Sequence, residues 1–254
     1  MQNLRISSTL IENFRAYWDG DKLYGEPKVS HDKLIEYITG EFKPTVYTER
    51  GKAFHSILEN TPELQKDGEK EYYQVFSKEM AEYYKFDRSI FREIYARNKD
   101  MFASGSMAEL KIFWKFPYTG YEVNIVSMAD RICGKTIAEW KTQWGNKIED
   151  FNDGDDDWYK DIAGEYERSM QWRLYLHGFK AGKMRYTVAQ LYPEKKNYFV
   201  ANAISSFELE PYSGMECDIR FYVGHLLEFI FDNKLEKYFI IWGAAVYQKQ
   251  KVIL

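Results

Sequence analysis

Asp130 and the run Glu139-Trp140-Lys141 place two carboxylates and an ammonium in an otherwise apolar stretch of the chain. Burying such groups is costly unless they share a task. In an extended segment successive side chains alternate between faces, so Glu139 and Lys141 point one way and Trp140 the other. With Asp130 closing the preceding strand, an aspartate, a glutamate and a lysine converge on one point. Hard divalent cations prefer oxygen ligands, and a lysine beside them can hold a phosphate or an attacking water. The chemistry this set suggests is metal-dependent phosphodiester hydrolysis.

The surrounding pattern must supply the strands and helices that position these groups. Ser7-Ser8-Thr9 followed by Leu10, Ile11, Phe14 and Trp18 on one face predicts a capped amphipathic helix. His31 to Ile38 predicts a second helix and residues 48 to 59 a third, with Gly51, His55 and Glu59 along one side. Gln74 to Asn98 reads as mostly helical, with a break near Asp87. Glu109 to Phe116 alternates at period two, Pro117 to Gly120 reads as a turn, and Tyr121 to Ile132 and Lys135 to Gln143 continue as strands. This three-strand meander would bring Glu109, Asp130 and Glu139 together. A long helix is expected over Tyr159 to Gly182, strands over Met184 to Leu191 and Tyr198 to Ser205, and a helix over Pro211 to Phe231. Tyr238 to Val246 fits either a strand or a buried helix.

Two flanking runs extend the set. Upstream lies Arg50-Gly51-Lys52-Ala53-Phe54-His55-Ser56-Ile57-Leu58-Glu59; downstream lies Gln171-Trp172-Arg173-Leu174-Tyr175. Together with Asp130 and Glu139-x-Lys141, they resemble the PD-(D/E)XK nuclease superfamily. The order His, Asp, Glu-x-Lys, Gln-x-x-x-Tyr is that of its RecB-like branch, and the resemblance covers roughly residues 45 to 205.

The resemblance implies an α+β (α/β) fold: a restriction-endonuclease-like αβββαβ core with a mixed central sheet flanked by helices and a helical N-terminal region. It implies one domain over 1–254, with the helical part over about 1–100, the catalytic core over about 45–205, and a C-terminal helix and tail over 206–254. Asp130, Glu139 and the Trp140 carbonyl would hold Mg²⁺ or Mn²⁺, with His55 as a further contact and Glu109 or Glu59 as an extra carboxylate. Lys141 would orient or help deprotonate the attacking water. Gln171 would touch that lysine or the DNA end, and Tyr175 a phosphate. Arg50, Lys52, Arg131, Lys135 and Lys147 are candidate basic positions near these motifs.

Composition narrows the reading. Only two cysteines, Cys133 and Cys217, are present, so the chain cannot build a four-cysteine iron–sulfur cluster from its own residues. It lacks a Walker A lysine motif and hence a nucleotide cofactor site of that kind. Net charge is −4, unusual for a DNA binder, although local charge decides contact. Asn152 to Asp157 fails as a calcium loop, because Phe151 falls where a ligand is required. The first residues carry no apolar secretory core, and the longest apolar run near the end is about half a membrane span. The expected compartment is the cytoplasm of a bacterial or phage-infected host cell, with no membrane partner.

Within the branch, the chain looks most like stand-alone phage or prophage exonucleases of the RecE type. That likeness implies a metal-dependent DNA exonuclease acting at duplex ends in recombination or repair. It also implies a ring-shaped homo-oligomer around the DNA and a single-strand annealing protein as partner. The rivals are a structure-specific or single-strand endonuclease of the same fold, and a non-catalytic nucleic-acid-binding module.

Overall fold

The computed structural model describes residues 2–240 apart from 24, 42 and 146–155. The chain opens with strand β1 (Gln2–Ser7) and helix α1 (Ser8–Trp18), and the Ser7 hydroxyl accepts the Leu10 N–H at 3.1 Å to cap that helix. A short ribbon, β2 (Lys22–Leu23) and β3 (Glu26–Pro27), leads to α2 (His31–Thr39). Helix α3 (Val46–Asn60) starts from a Thr45/Thr48 capping box. Strands β4 (Gln65–Asp67), β5 (Lys70–Ser77) and β6 (Glu82–Asp87) follow, then α4 (Arg88–Arg97). The meander comprises β7 (Met107–Tyr118), β8 (Tyr121–Cys133) and β9 (Thr136–Trp144). Helices α5 (Asp156–Arg168) and α6 (Met170–Phe179), strands β10 (Lys183–Lys195) and β11 (Tyr198–Leu209), and helix α7 (Met215–Asp232) complete it.

Nine of these strands form one sheet in the order β1-β8-β9-β10-β11-β6-β5-β4, with β7 on the other edge of β8. β1 runs parallel to β8, β9 to β10 and β11 to β6, while the remaining pairs are antiparallel, so the sheet is mixed. Two apolar clusters cover it. The first joins α1, α2, α6 and α7 to Ile125, Ile137, Tyr186 and Val188. The second joins α3 and α4 to Ala138, Trp140, Ala189 and Leu191. Strand β9 divides its side chains between the two, Ile137 going to one cluster and its neighbour Ala138 to the other, as period-two alternation requires.

The fold is therefore α+β, a mixed central sheet flanked by helices. Helix, three strands, helix and strand occur as α3, β7–β9, α5/α6 and β10, with β4–β6 and α4 inserted after the first helix.

Several expectations are corrected. Gln74 to Asp87 is not helical: β5 and β6 occupy it, and Asp87 caps the helix that begins at Arg88. The turn between them carries no Gly, Pro or Asn and instead places Ala81 at φ 52°, so it gave no turn signal. The N-terminal hundred residues are not all helical, since β1 to β6 lie there. The helix expected over 159–182 is two helices broken at Ser169, which caps α6, and it ends at Phe179 before left-handed Lys180. Of Tyr238 to Val246, Ile240 forms one antiparallel bridge with Leu4; residues 241–246 and most of the acidic stretch 149–157 lie outside the described residues.

Candidate active site

Strand β8 shares one edge between two partners. Its residues 121–126 pair with β1 and 131–133 with β9, and 127–130 lie between the two ladders. Asp130 stands at this fork. On the opposite edge, β7 pairs through Ala108↔Arg131 and Leu110↔Ala129, while Glu109, between them, has a left-handed φ of 49°. For a non-glycine residue that is an uncommon, strained conformation.

Where the β8–β9 ladder stops, carboxylates take over its hydrogen bonds. The Asp130 N–H donates to Glu139 Oε1 at 3.0 Å, and the Trp140 N–H donates to Asp130 Oδ2 at 2.8 Å. Each acid thus satisfies the other strand's backbone, which fixes both side chains at the mouth of the fork. Lys141 Nζ donates to Glu139 Oε2 at 2.8 Å. From α3, His55 Nδ1 lies 3.5 Å from Asp130 Oδ2, and the Trp140 backbone is in hydrogen-bonding reach of the same ring.

The charges are crowded and poorly solvated. Glu139 is 2% exposed, and burial followed by the Asp130 charge pushes its pKa up to about 7 against the pull of Lys141. Asp130 is raised as well, first by burial. Burial opposes the Lys141 charge, but Glu139 and Asp130 outweigh it and hold the ammonium protonated. His55 is driven down to about 4, by burial and then by Lys141, so its imidazole is neutral and able to ligate. Glu59 rises to about 7 through burial, Glu109 and Asp130.

Gly51, Lys52, His55 and Glu59 on α3 line a cleft of about 400 Å³ together with Glu109, Met128, Ala129 and Asp130. The structure thus gathers Asp130, Glu139, Lys141, His55 and Glu109, and brings Glu59 into the same cleft. On α6, Gln171 Nε2 donates to the Tyr175 hydroxyl at 2.9 Å, and the Glu139 and Lys141 charges both act on that buried phenol.

The basic positions fare unevenly. Lys52 lines the cleft but pairs with Glu49 at 2.5 Å. Arg50 instead packs among the rings of Tyr47, Tyr84, Trp144 and Phe199, its guanidinium 4.9–6.0 Å from their centroids. Arg131 lies 4.6 Å over Phe102 and donates to Ser106 at 2.9 Å, anchoring the loop before β7. Both guanidiniums are packed against aromatic rings. Lys147 lies outside the described residues.

One contributor carried no sequence signal. Glu12 on α1 accepts from the Ser169 hydroxyl at 3.0 Å and the Met170 N–H at 2.5 Å, fixing the first turn of the helix that bears Gln171. Nothing in residues 8–18 announces a contact 158 positions away.

The donor chemistry at the fork fits a hard divalent cation: two carboxylates, a neutral imidazole and the Trp140 carbonyl, with surplus negative charge from Glu109 and Glu59. As arranged, Glu139 Oε2 is committed to Lys141, and among the described residues no three His, Cys, Asp or Glu side chains are gathered closely enough to hold an ion. Also among them, no helix is long and apolar enough to cross a membrane.

A scan against protein-family models returns no match, and a search of curated proteins returns none. Among solved structures the chain is similar to SSO0001, at 19% identity and a TM-score of 0.34 over 56% of this chain and 55% of that one, spanning about half of that protein's length. It is similar to LHK-Exo, crystallised in complex with dAMP, at 9% identity and a TM-score of 0.43, covering 91% and 90% of the two chains. It is also similar to a phage-related exonuclease from Haemophilus somnus 129PT, at 11% identity and a TM-score of 0.37, covering 92% and 93%.

Proposed function

We propose that this protein is a metal-dependent DNA exonuclease that hydrolyses phosphodiester bonds from duplex ends. The observation that carries the reading is the fork itself, where Asp130 and Glu139 replace the backbone ladder beside Lys141 and neutral His55. Asp130, Glu139, the Trp140 carbonyl and His55 would hold Mg²⁺ or Mn²⁺. When bound, such a cation supplies Lewis acidity and charge neutralisation toward a phosphodiester. The chain's own part is to orient. Lys141, protonated and rooted in the sheet, would bind a phosphate oxygen and stabilise the charge that develops on it. Gln171 and Tyr175 would approach the site from α6. Ring assembly around DNA would suit a net charge of −4, because enclosure retains a duplex that electrostatics holds weakly.

The test is release of nucleotides from end-labelled linear duplex in Mg²⁺ or Mn²⁺, comparing wild type with Lys141→Ala. The substitution should lower kcat by about 10²–10⁴-fold with modest change in KM. Cleavage indifferent to it, or none with either metal, would overturn the reading. Cutting of a closed circular single strand would favour an endonuclease instead.

A further inference from the structure

Tyr186 stands directly beside Glu139 in the parallel register of β9 and β10, on the face that also carries Ile137, Glu139 and Lys141. It is fully buried, and its hydroxyl has no hydrogen-bond partner among the described residues. The ring is held 4.7 Å from that of Tyr166 and 5.6 Å from that of Phe207, so the hydroxyl cannot swing out to solvent. A phenylalanine would fill the same space without stranding a polar atom, and packing therefore does not account for the oxygen.

Its neighbours suggest what does. Both Glu139 oxygens are engaged, Oε1 by the Asp130 N–H and Oε2 by the Lys141 ammonium. A cation on Glu139 would compete with that ammonium, which would then need another acceptor on its own side of the sheet. The Tyr175 oxygen already accepts from Gln171. Tyr186, Tyr175 and Tyr166 all lie close enough to interact with the Lys141 charge, and of these Tyr186 alone has a buried hydroxyl without a partner among the described residues.

We propose that Tyr186 is a positioning residue whose hydroxyl receives the Lys141 ammonium when Glu139 turns to a divalent cation. This rests on the metal-dependent reading above. It makes Lys141 a two-position side chain: on Glu139 in the metal-free protein, and on Tyr186 in the loaded one.

Mn²⁺ binding to the full chain, measured by titration calorimetry, separates the possibilities. Tyr186→Phe should weaken Mn²⁺ about tenfold, the worth of one hydrogen bond to a charged group. Its metal-free melting temperature should stay level or rise, because an unpaired buried hydroxyl has been removed. In a Lys141→Met background the same change should leave Mn²⁺ affinity unaltered. Equal Mn²⁺ affinity in wild type and Tyr186→Phe would overturn the inference and leave the metal reading standing. So would an undiminished effect in the Lys141→Met background. A wild type that binds no Mn²⁺ would sink both.

Discussion

Asp87 closes β6 and caps α4, its carboxylate accepting the Ser89 N–H at 2.8 Å and the Tyr198 hydroxyl at 2.7 Å. Burial pushes its pKa up, but the hydrogen bonds from Ser89 and Tyr198 outweigh burial and hold it below the ordinary aspartate value. A folded pKa below the unfolded one means the stabilisation is full above about pH 4 and is lost as pH falls through the folded value. Urea midpoints should therefore drop between about pH 5 and about pH 2 by more in wild type than in Asp87→Asn. At neutral pH, Asp87→Ala should cost about 1 kcal/mol through the lost cap, read by urea unfolding. At this scale the sequence was most legible where the rule is local. Strand alternation placed Glu139 and Lys141 together, and helical spacing put Gly51, His55 and Glu59 along one cleft wall. The surroundings of Arg50 and Arg131 are not legible in this way, because nothing in their sequence neighbours reveals that aromatic rings from β6, β9 and β11, or Phe102 before β7, pack against them.

Helix α6 meets β7 at Gly178, and the contact admits nothing larger. A Cβ there would lie 2.6 Å from Trp114 Cδ1 and 2.9 Å from Ile112 Cδ1. Trp114 has little room to retreat, since its ring packs 4.7 Å from His177. Helix propensity alone favours alanine by about 1 kcal/mol, whereas overpacking costs roughly 1–3 kcal/mol. Gly178→Ala should thus destabilise by about 1 kcal/mol, and thermal melts that rise instead would show the helix free to shift. Among elements, strands with a dedicated turn were readable: Pro117 to Gly120 marks the β7–β8 hairpin without ambiguity. The β5–β6 hairpin was not, because Lys78 to Ala81 is helix-like in composition and carries no Gly, Pro or Asn to mark a turn. β1 was missed for a different reason. Six residues form a strand there only because β8 offers an edge more than a hundred positions later.

The molecule as a whole is tied across its first cluster by Glu12, which is itself held by Arg15. The Arg15 guanidinium is 3% exposed and pairs with Glu12 at 2.8 Å, Asp19 at 3.2 Å and Asp21 at 2.6 Å. Burial opposes that charge, and Glu12 and Asp21 more than compensate. Since Glu12 also holds the start of α6, Glu12→Ala removes a partner from a buried cation and a cap from the helix facing the fork. The expected loss is about 1–3 kcal/mol, measured by urea unfolding, with the proposed nuclease activity falling alongside. A stability unchanged within error would mean solvent replaces both contacts. None of this long-range wiring is periodic, so pattern reading finds the elements and misses the tie between them.

The same tie has a consequence for synthesis. β1 and α1 emerge from the ribosome first, yet Tyr121–Val126 must appear before β1 can pair, and Met170 must follow before Glu12 has its partner. At translation speeds of about 5–20 residues per second, 158 residues correspond to a wait of roughly 8–32 s. Through that interval Leu10, Ile11 and Phe14, all buried in the finished protein, have α2 and then β8 to pack on but lack α6 and α7. The apolar face of α1 is thus closed only when α6 and α7 arrive.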